Sequence, residues 1–265
     1  MKNIFSKTLL ACVASVAMGL GANASAATEF PDFTVNEGVI PGANQYSFVA
    51  DKITGNYVEQ ITFAPATSSS GTFNVALRWD AGQYVAQDGS EKVGSQLGLG
   101  VAGQTNQYSL YALYNGAGTY ATNNNITVFT FTPGGSLSIF ADPSAAINGA
   151  DILLAVGTPI SGEGTLNPGL STCSGGGGNG INCGSFGAAS TLELTAAGKL
   201  YFVAPNPFYA FSFQSGQLNN FTVGVNQTIN GSLDVIFGNT VPEPTTVALL
   251  GLGLLGFAAS RRKRK

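Results

Sequence analysis

The sequence predicts an all-β fold, a single antiparallel β-sandwich or barrel-like domain, and three observations lead there. Apolar and polar residues alternate with period two along several runs. No strong helical period appears between residues 28 and 240. Gly-, Asn- and Asp-containing turn signals fall between the alternating runs. The domain occupies residues 27–240, and an apolar segment with basic residues stands on each side of it, at 1–26 and 241–265.

The first segment carries Lys2 and Lys7, then an apolar run from Thr8 to Leu20, then Ala24-Ser25-Ala26. A basic start, a short apolar core and small residues at Ala24 and Ala26 make a secretory signal peptide, with cleavage expected after Ala26. The run falls short of the roughly 20 apolar residues that a membrane span needs. Leu9-Leu10-Ala11-Cys12 looks like a lipoprotein box, but Lys7 stands too close to Cys12 to leave an apolar core ahead of the cut.

Strands follow. Phe73, Val75, Leu77 and Trp79 face one way, Thr72, Asn74 and Arg78 the other. Trp79, at the end of that apolar face, is expected in the core. Tyr108–Tyr114 carries large residues on both faces. Ile126 and Val128 oppose Thr127, Phe129 and Phe131, which predicts a strand covered on both sides. Phe221, Val223 and Val225 alternate, and so do Ile229, Gly231, Leu233, Val235 and Phe237. Turns are expected at Asp80-Ala81-Gly82, Asp88-Gly89, Asn115-Gly116, Pro133-Gly134-Gly135 and Asn230-Gly231. Residues 158–189 have much Gly and little pattern, and read as one long loop.

That loop contains Cys173 and Cys183. With Cys12 removed in the signal peptide, these two remain, an even number for an oxidising compartment, and a disulfide is expected between them. The intervening Gly-rich stretch is costly to order, so closing it stabilises the fold by roughly 3 kcal/mol. With no His and no further Cys in the domain, a zinc site has little support, and no cofactor or metal is expected.

Charge narrows the partners. Charged residues make up 9% of the chain, against roughly 25% in ordinary domains. Residues 27–240 hold four bases (Lys52, Arg78, Lys92, Lys199) against thirteen acids, a net charge of −9. Nucleic acid, which needs clustered Lys and Arg, is excluded as a partner. The lack of His removes Ser-His-Asp and Cys-His nucleophile systems. Paired carboxylates could still act on a glycoside. Asp51, Glu59, Asp80, Asp88, Glu91, Asp142, Asp151, Glu163 and Glu193 are available, and nothing in the sequence selects a pair.

The last segment is the most specific. Pro242-Glu243-Pro244 precedes an uncharged Gly-rich run from Thr245 to Ala259, followed by Arg261, Arg262, Lys263, Arg264 and Lys265. The run reads as a short transmembrane helix. The basic cluster is a stop-transfer signal that stays in the cytoplasm, so the preceding domain faces outward. The two prolines deny helix to the residues just before the span and keep them extended at the membrane surface. This tail resembles the PEP-CTERM sorting signal. The resemblance implies export, a transient inner-membrane anchor, and recognition and processing by a membrane transpeptidase, the exosortase. It also implies an eventual location at the cell surface or in the extracellular matrix.

A second resemblance rests on Phe30-Pro31-Asp32-Phe33, on the stretch from Phe48 to Glu59 (FVADKITGNYVE) and on Gly71-Thr72-Phe73. These are similar to the flocculation-associated PEP-CTERM proteins of floc-forming bacteria. That implies a non-enzymatic protein supporting exopolysaccharide retention, flocculation or biofilm formation, with exopolysaccharide or other cell-surface components as partners. The alternative function is a carboxylate-based enzyme acting on extracellular polysaccharide.

Overall fold

The alternating runs pair edge to edge until the sheet meets itself. The computed structural model describes residues 30–65, 67, 69–98, 108–144, 151–173 and 182–239. Strands β1 (Phe33–Asn36) and β2 (Ser47–Ala50) flank a single 3₁₀ turn at Glu37–Val39. β3 (Lys52–Pro65) and β4 (Ser70–Ala86) form a long hairpin, and β5 (Glu91–Val93) returns along the end of β4. β6 (Ser109–Asn123) and β7 (Ile126–Asp142) form a second long hairpin, followed by β8 (Ile152–Gly157) and β9 (Pro159–Leu166). Then come β10 (Gly184–Thr191), β11 (Glu193–Leu194), helix α1 (Ala196–Tyr201), β12 (Phe202–Ala204), β13 (Phe211–Leu218) and β14 (Gln227–Gly238).

Eight of these strands close an antiparallel barrel in the order β7-β6-β4-β3-β14-β13-β10-β9, with β9 returning to β7. β7 serves two neighbours. Its first half pairs with β9, from Thr127↔Leu166 to Phe131↔Gly162, and its second half pairs with β8, from Leu137↔Gly157 to Ala141↔Ile152. The barrel alternative of the predicted fold class is therefore the one the chain adopts. Inward positions carry the core, with Phe73, Val75, Leu77 and Trp79 buried along β4 as their alternation predicts, and the Trp79 indole donating to the Leu233 carbonyl at 2.9 Å.

A small antiparallel sheet, β12-β1-β2, and α1 cap the end where β4 and β14 finish. Phe33 of β1 meets Phe237 of β14 edge-on at 5.1 Å and Tyr84 of β4 at 6.4 Å. A buried polar chain ties cap to barrel. The Tyr108 hydroxyl donates to the Glu37 carboxylate at 2.8 Å, and the hydroxyls of Tyr108, Tyr201 and Tyr84 bond in sequence. Gln96 donates to both Glu37 oxygens from its backbone and side-chain nitrogens. Burial pushes the three phenols well above their ordinary range, so they remain protonated donors.

Several expectations need correction. The 158–189 segment is not one loop, because β9 and β10 lie inside it and pair from Gly184↔Leu166 to Ala189↔Ser161. Gly162, Gly164, Gly184 and Gly187 are strand residues, and a neighbouring strand crowds the backbone at one of them: a Cβ on Gly184 would stand 1.8 Å from the Thr165 carbonyl oxygen. Of the five expected turns, only Asp88-Gly89 joins two strands, with Gln87, Asp88 and Gly89 all at positive φ. Asp80-Ala81-Gly82, Asn115-Gly116 and Pro133-Gly134-Gly135 lie within β4, β6 and β7 at register shifts, where an extra residue bends the strand. Asn230-Gly231 lies within β14, where Gly231 makes room for the Tyr57 ring.

Conversely, Phe221–Val225 is not a strand. Gly224 has φ 85°, and the Gln227 side-chain amide donates to the carbonyls of Thr222 and Val225, which folds the segment into a turn. β7 is not covered on both sides over its first half: Ile126 and Val128 face outward, each 37% exposed, while Phe129 is buried.

Candidate functional site

Four connections converge on the barrel end opposite the cap: the β3–β4 turn, whose Pro65 and Thr67 line it, and the β6–β7, β9–β10 and β13–β14 connections. The β6–β7 turn places Asn124 and Asn125 at φ 49° and 64°, the left-handed pair that a tight hairpin of this twist requires. The β13–β14 connection is held by Gln227 and by the Asn226 side chain, which accepts from the Phe63 amide at 2.8 Å. The β9–β10 connection is pinned by the Cys173–Cys183 disulfide, with a Cα–Cα distance of 4.5 Å, and by the Asn167 amide bonded to the Cys183 carbonyl. The expected cysteine pair is thus formed.

Between these connections lies a cleft of about 670 Å³. Its polar lining includes Thr122, Asn125, Asn220, Thr222 and Gln227, and its apolar lining includes Tyr120 and Phe221. Tyr120, Phe63, Phe129 and Phe221 form a continuous aromatic cluster beneath it, with centroid spacings of 5.2 to 6.4 Å. None of the described residues that line the cleft is charged. The Tyr120 and Thr222 hydroxyls and the Asn125 and Asn220 amides make no hydrogen bond among the described residues. They are free donors and acceptors facing an uncharged cleft.

Deeper in the barrel sits Glu59, on the inward face of β3 between Tyr57 and Ile61 and 7% exposed. It pairs in register with Leu77 of β4, which in turn faces Tyr114 of β6. Burial raises its carboxyl to about pKa 7. The Glu59 charge in turn adds to burial in raising the hydroxyls of Tyr57 and Tyr114, the latter to about 12.

The other candidate acids are dispersed. Asp51 accepts from the Gly89 amide and supports the β4–β5 turn, and its carboxyl is raised mainly by burial. Asp80 pairs with Arg78 at 2.7 Å, Asp142 accepts from Ser144, and Asp151 accepts from Tyr111. Among the described residues no second carboxylate lines the cavities that Glu59 faces. Among the described residues no three His, Cys, Asp or Glu side chains cluster so as to hold a metal ion.

Residues 240–263 match the PEP-CTERM protein-sorting motif. The C-terminal tail is a PEP-CTERM sorting motif. It marks the chain as an exported protein, anchored transiently at the membrane until an exosortase processes the tail. A search of the curated proteins and of the solved structures found no match. Pro242, Glu243 and Pro244 fall within the motif, as do Arg261, Arg262 and Lys263. These residues, Arg264, Lys265, and Ala24 and Ala26 of the expected signal peptide lie outside the described residues, and so does the expected transmembrane run. Among the described residues no helix is long and apolar enough to cross a membrane.

Sequence reasoning named Glu59 without selecting it and missed the mouth residues altogether. For Glu59 a signal existed: it is the one acid at an inward position in the alternation Tyr57, Glu59, Ile61, Phe63. Asn125 comes from the β6–β7 turn and Asn220 and Thr222 from the β13–β14 connection, and only closure of the barrel brings them together.

Proposed function

We propose that this chain is a non-enzymatic protein of the cell surface or extracellular matrix that retains neutral extracellular polysaccharide and so supports flocculation or biofilm formation. The observation that carries the reading is the mouth cleft, with its uncharged hydrogen-bonding groups above an aromatic cluster. A neutral sugar offers hydroxyls to such groups and C–H faces to an aromatic ring, whereas a polyanion finds no cation there. Weak contacts repeated over many sorted copies hold a polymer by avidity.

The rival reading, a carboxylate enzyme acting on the same polymer, draws on the raised carboxyl of Glu59. Among the described residues, no second acid lines the cavity that Glu59 faces, and no carboxylate lines the cleft. Incubating the protein with host polysaccharide separates the two: retention without new reducing ends is expected, and a steady release of reducing ends would replace binding by hydrolysis.

The test in the host is deletion of the gene, with cell-bound and released polysaccharide measured beside settling. Deletion is expected to release polysaccharide and disperse the cells. The full chain restores flocs, and the variant with Pro242→Ala, Glu243→Ala and Pro244→Ala does not. Unchanged flocculation on deletion sinks the proposal.

A further inference from the structure

Most of the buried side chains of the barrel are apolar, and Glu59, Thr127, Ser190, Ser212 and Gln214 are polar exceptions. The Glu59 carboxyl makes no hydrogen bond or ion pair among the described residues. The Tyr114 hydroxyl and the Gln214 side-chain carbonyl oxygen are buried without partners. The Gln214 amide nitrogen donates to the Ser212 hydroxyl at 2.8 Å, which leaves its carbonyl oxygen for the interior. Glu59, Tyr114 and Gln214 line one cavity of about 40 Å³. A second cavity of about 30 Å³ is also lined by Glu59 and reaches Phe129 and Phe221. Phe221 lines the mouth cleft as well.

Three unpartnered polar groups on one dry cavity would be costly in a fold whose net stability is small. A guest must therefore meet them, and their chemistry selects it. The Gln214 carbonyl only accepts, so the guest must donate hydrogen bonds. A purely apolar guest leaves all three groups unpartnered, and an anion is repelled by the carboxyl when it is ionised. A hard cation needs several oxygen ligands, and this cavity offers one carboxyl. Water donates, accepts, and needs about 10–15 Å³ with two to four polar partners, so by volume the first cavity has room for about three molecules and the second for about two.

We propose that the first cavity is a bound-water site, and that the second, where Glu59 is the one polar side chain among the described lining residues, is its way out. Waters bridge the Glu59 carboxyl, the Tyr114 hydroxyl and the Gln214 carbonyl, and they exchange with solvent past Phe221. This assignment is independent of what the mouth cleft binds.

Oxygen-17 relaxation dispersion on the purified protein at about pH 5 counts long-lived internal waters, and a crystal structure of the same protein places them. The expected result is long-lived water in the wild type, with density within hydrogen-bonding distance of all three groups. Glu59→Leu lowers the count by at least one, and Phe221→Ala shortens the residence time several-fold. A wild type without long-lived water, or an unchanged count in Glu59→Leu, overturns the site. An unchanged residence time in Phe221→Ala overturns the route. Should Glu59→Leu fail to fold, Tyr114→Phe and Gln214→Leu carry the same test, and an unchanged count in both overturns the proposal.

Discussion

Glu59 is where a single residue sets a property of the whole fold. Its carboxyl is raised from 4.5 to about 7, and the cause is burial. Below pH 4.5 the proton is bound in both the folded and the unfolded chain. Between 4.5 and 7 the folded chain keeps a proton that the unfolded chain has released. This group's contribution is therefore fully present at low pH, is lost as pH rises through about 7, and is flat above that. At about 1.4 kcal/mol per unit, the loss is about 3 kcal/mol for a dry interior, and less where water solvates the carboxylate. Chemical denaturation at about pH 5 and about pH 8 measures it: the difference seen in wild type is expected to shrink by that amount in Glu59→Gln. Equal pH dependence in the two proteins would mean that Glu59 is solvated as an ordinary carboxylate. Among the described residues no cation lines the cavities around Glu59, and the tyrosines that feel its charge, Tyr57 and Tyr114, are neutral in this range.

At the scale of the element, the strands show why glycine is abundant here. Inward aromatic rings lie over glycines of neighbouring strands: Phe73 over Gly118, Phe186 over Gly216 and Tyr57 over Gly231. A Cβ on Gly118 would stand 2.2 Å from the Thr130 carbonyl oxygen and 2.7 Å from the Phe73 ring. Because the nearest atom is backbone, it cannot move aside cheaply. Gly118→Ala is expected to destabilise by about 1–3 kcal/mol in denaturant titration. Gly187→Ala, whose Cβ would meet nothing closer than 3.7 Å, is expected to stay within about 0.5 kcal/mol. The disulfide acts at the same scale. Cys173→Ser with Cys183→Ser frees the β9–β10 connection and is expected to cost about 3 kcal/mol.

The same residues explain what could be read from the sequence and what could not. β4 was legible because Phe73, Val75, Leu77 and Trp79 alternate without a break, and local pattern decides such a face. Glycine misled in both directions, because its local signal is the same in a turn and in a bend. Strands of 15 to 17 residues must coil to close a barrel, and β4, β6 and β7 do so at Gly82, Gly116 and Gly134-Gly135. Those bends depend on partner strands far away in sequence, so a reading of neighbours alone took them for chain reversals. The Phe221–Val225 stretch failed for the opposite reason, since its period was right and the side chain of Gln227 decided its shape.

For the whole molecule, the barrel's polarity and the tail belong to one argument. Outward positions carry Thr54, Asn56, Gln60 and Thr62 on β3, with Val58 among them, and Thr72 and Asn74 on β4, while the interior is mostly apolar. This is the reverse of a barrel whose outer wall faces lipid. The sorting tail sends this water-facing barrel out of the cell, where its few charges govern what it meets. Of the four cations in residues 27–240, Lys52 pairs with Asp234 at 3.0 Å and Arg78 pairs with Asp80 at 2.7 Å. With a net charge of −9, the domain repels a polyanion at long range and is indifferent to a neutral polymer. Capture of neutral polysaccharide is therefore expected to stay constant between about 0.1 M and about 1 M salt, although the screening length falls from about 10 Å to about 3 Å over that range. Replacing Asn125, Asn220 and Thr222 together by Ala should weaken capture equally at both salt concentrations, because those groups act by uncharged hydrogen bonds. Capture that collapses in high salt, or that survives the triple substitution unchanged, would move the contact away from the mouth and onto the charged surface.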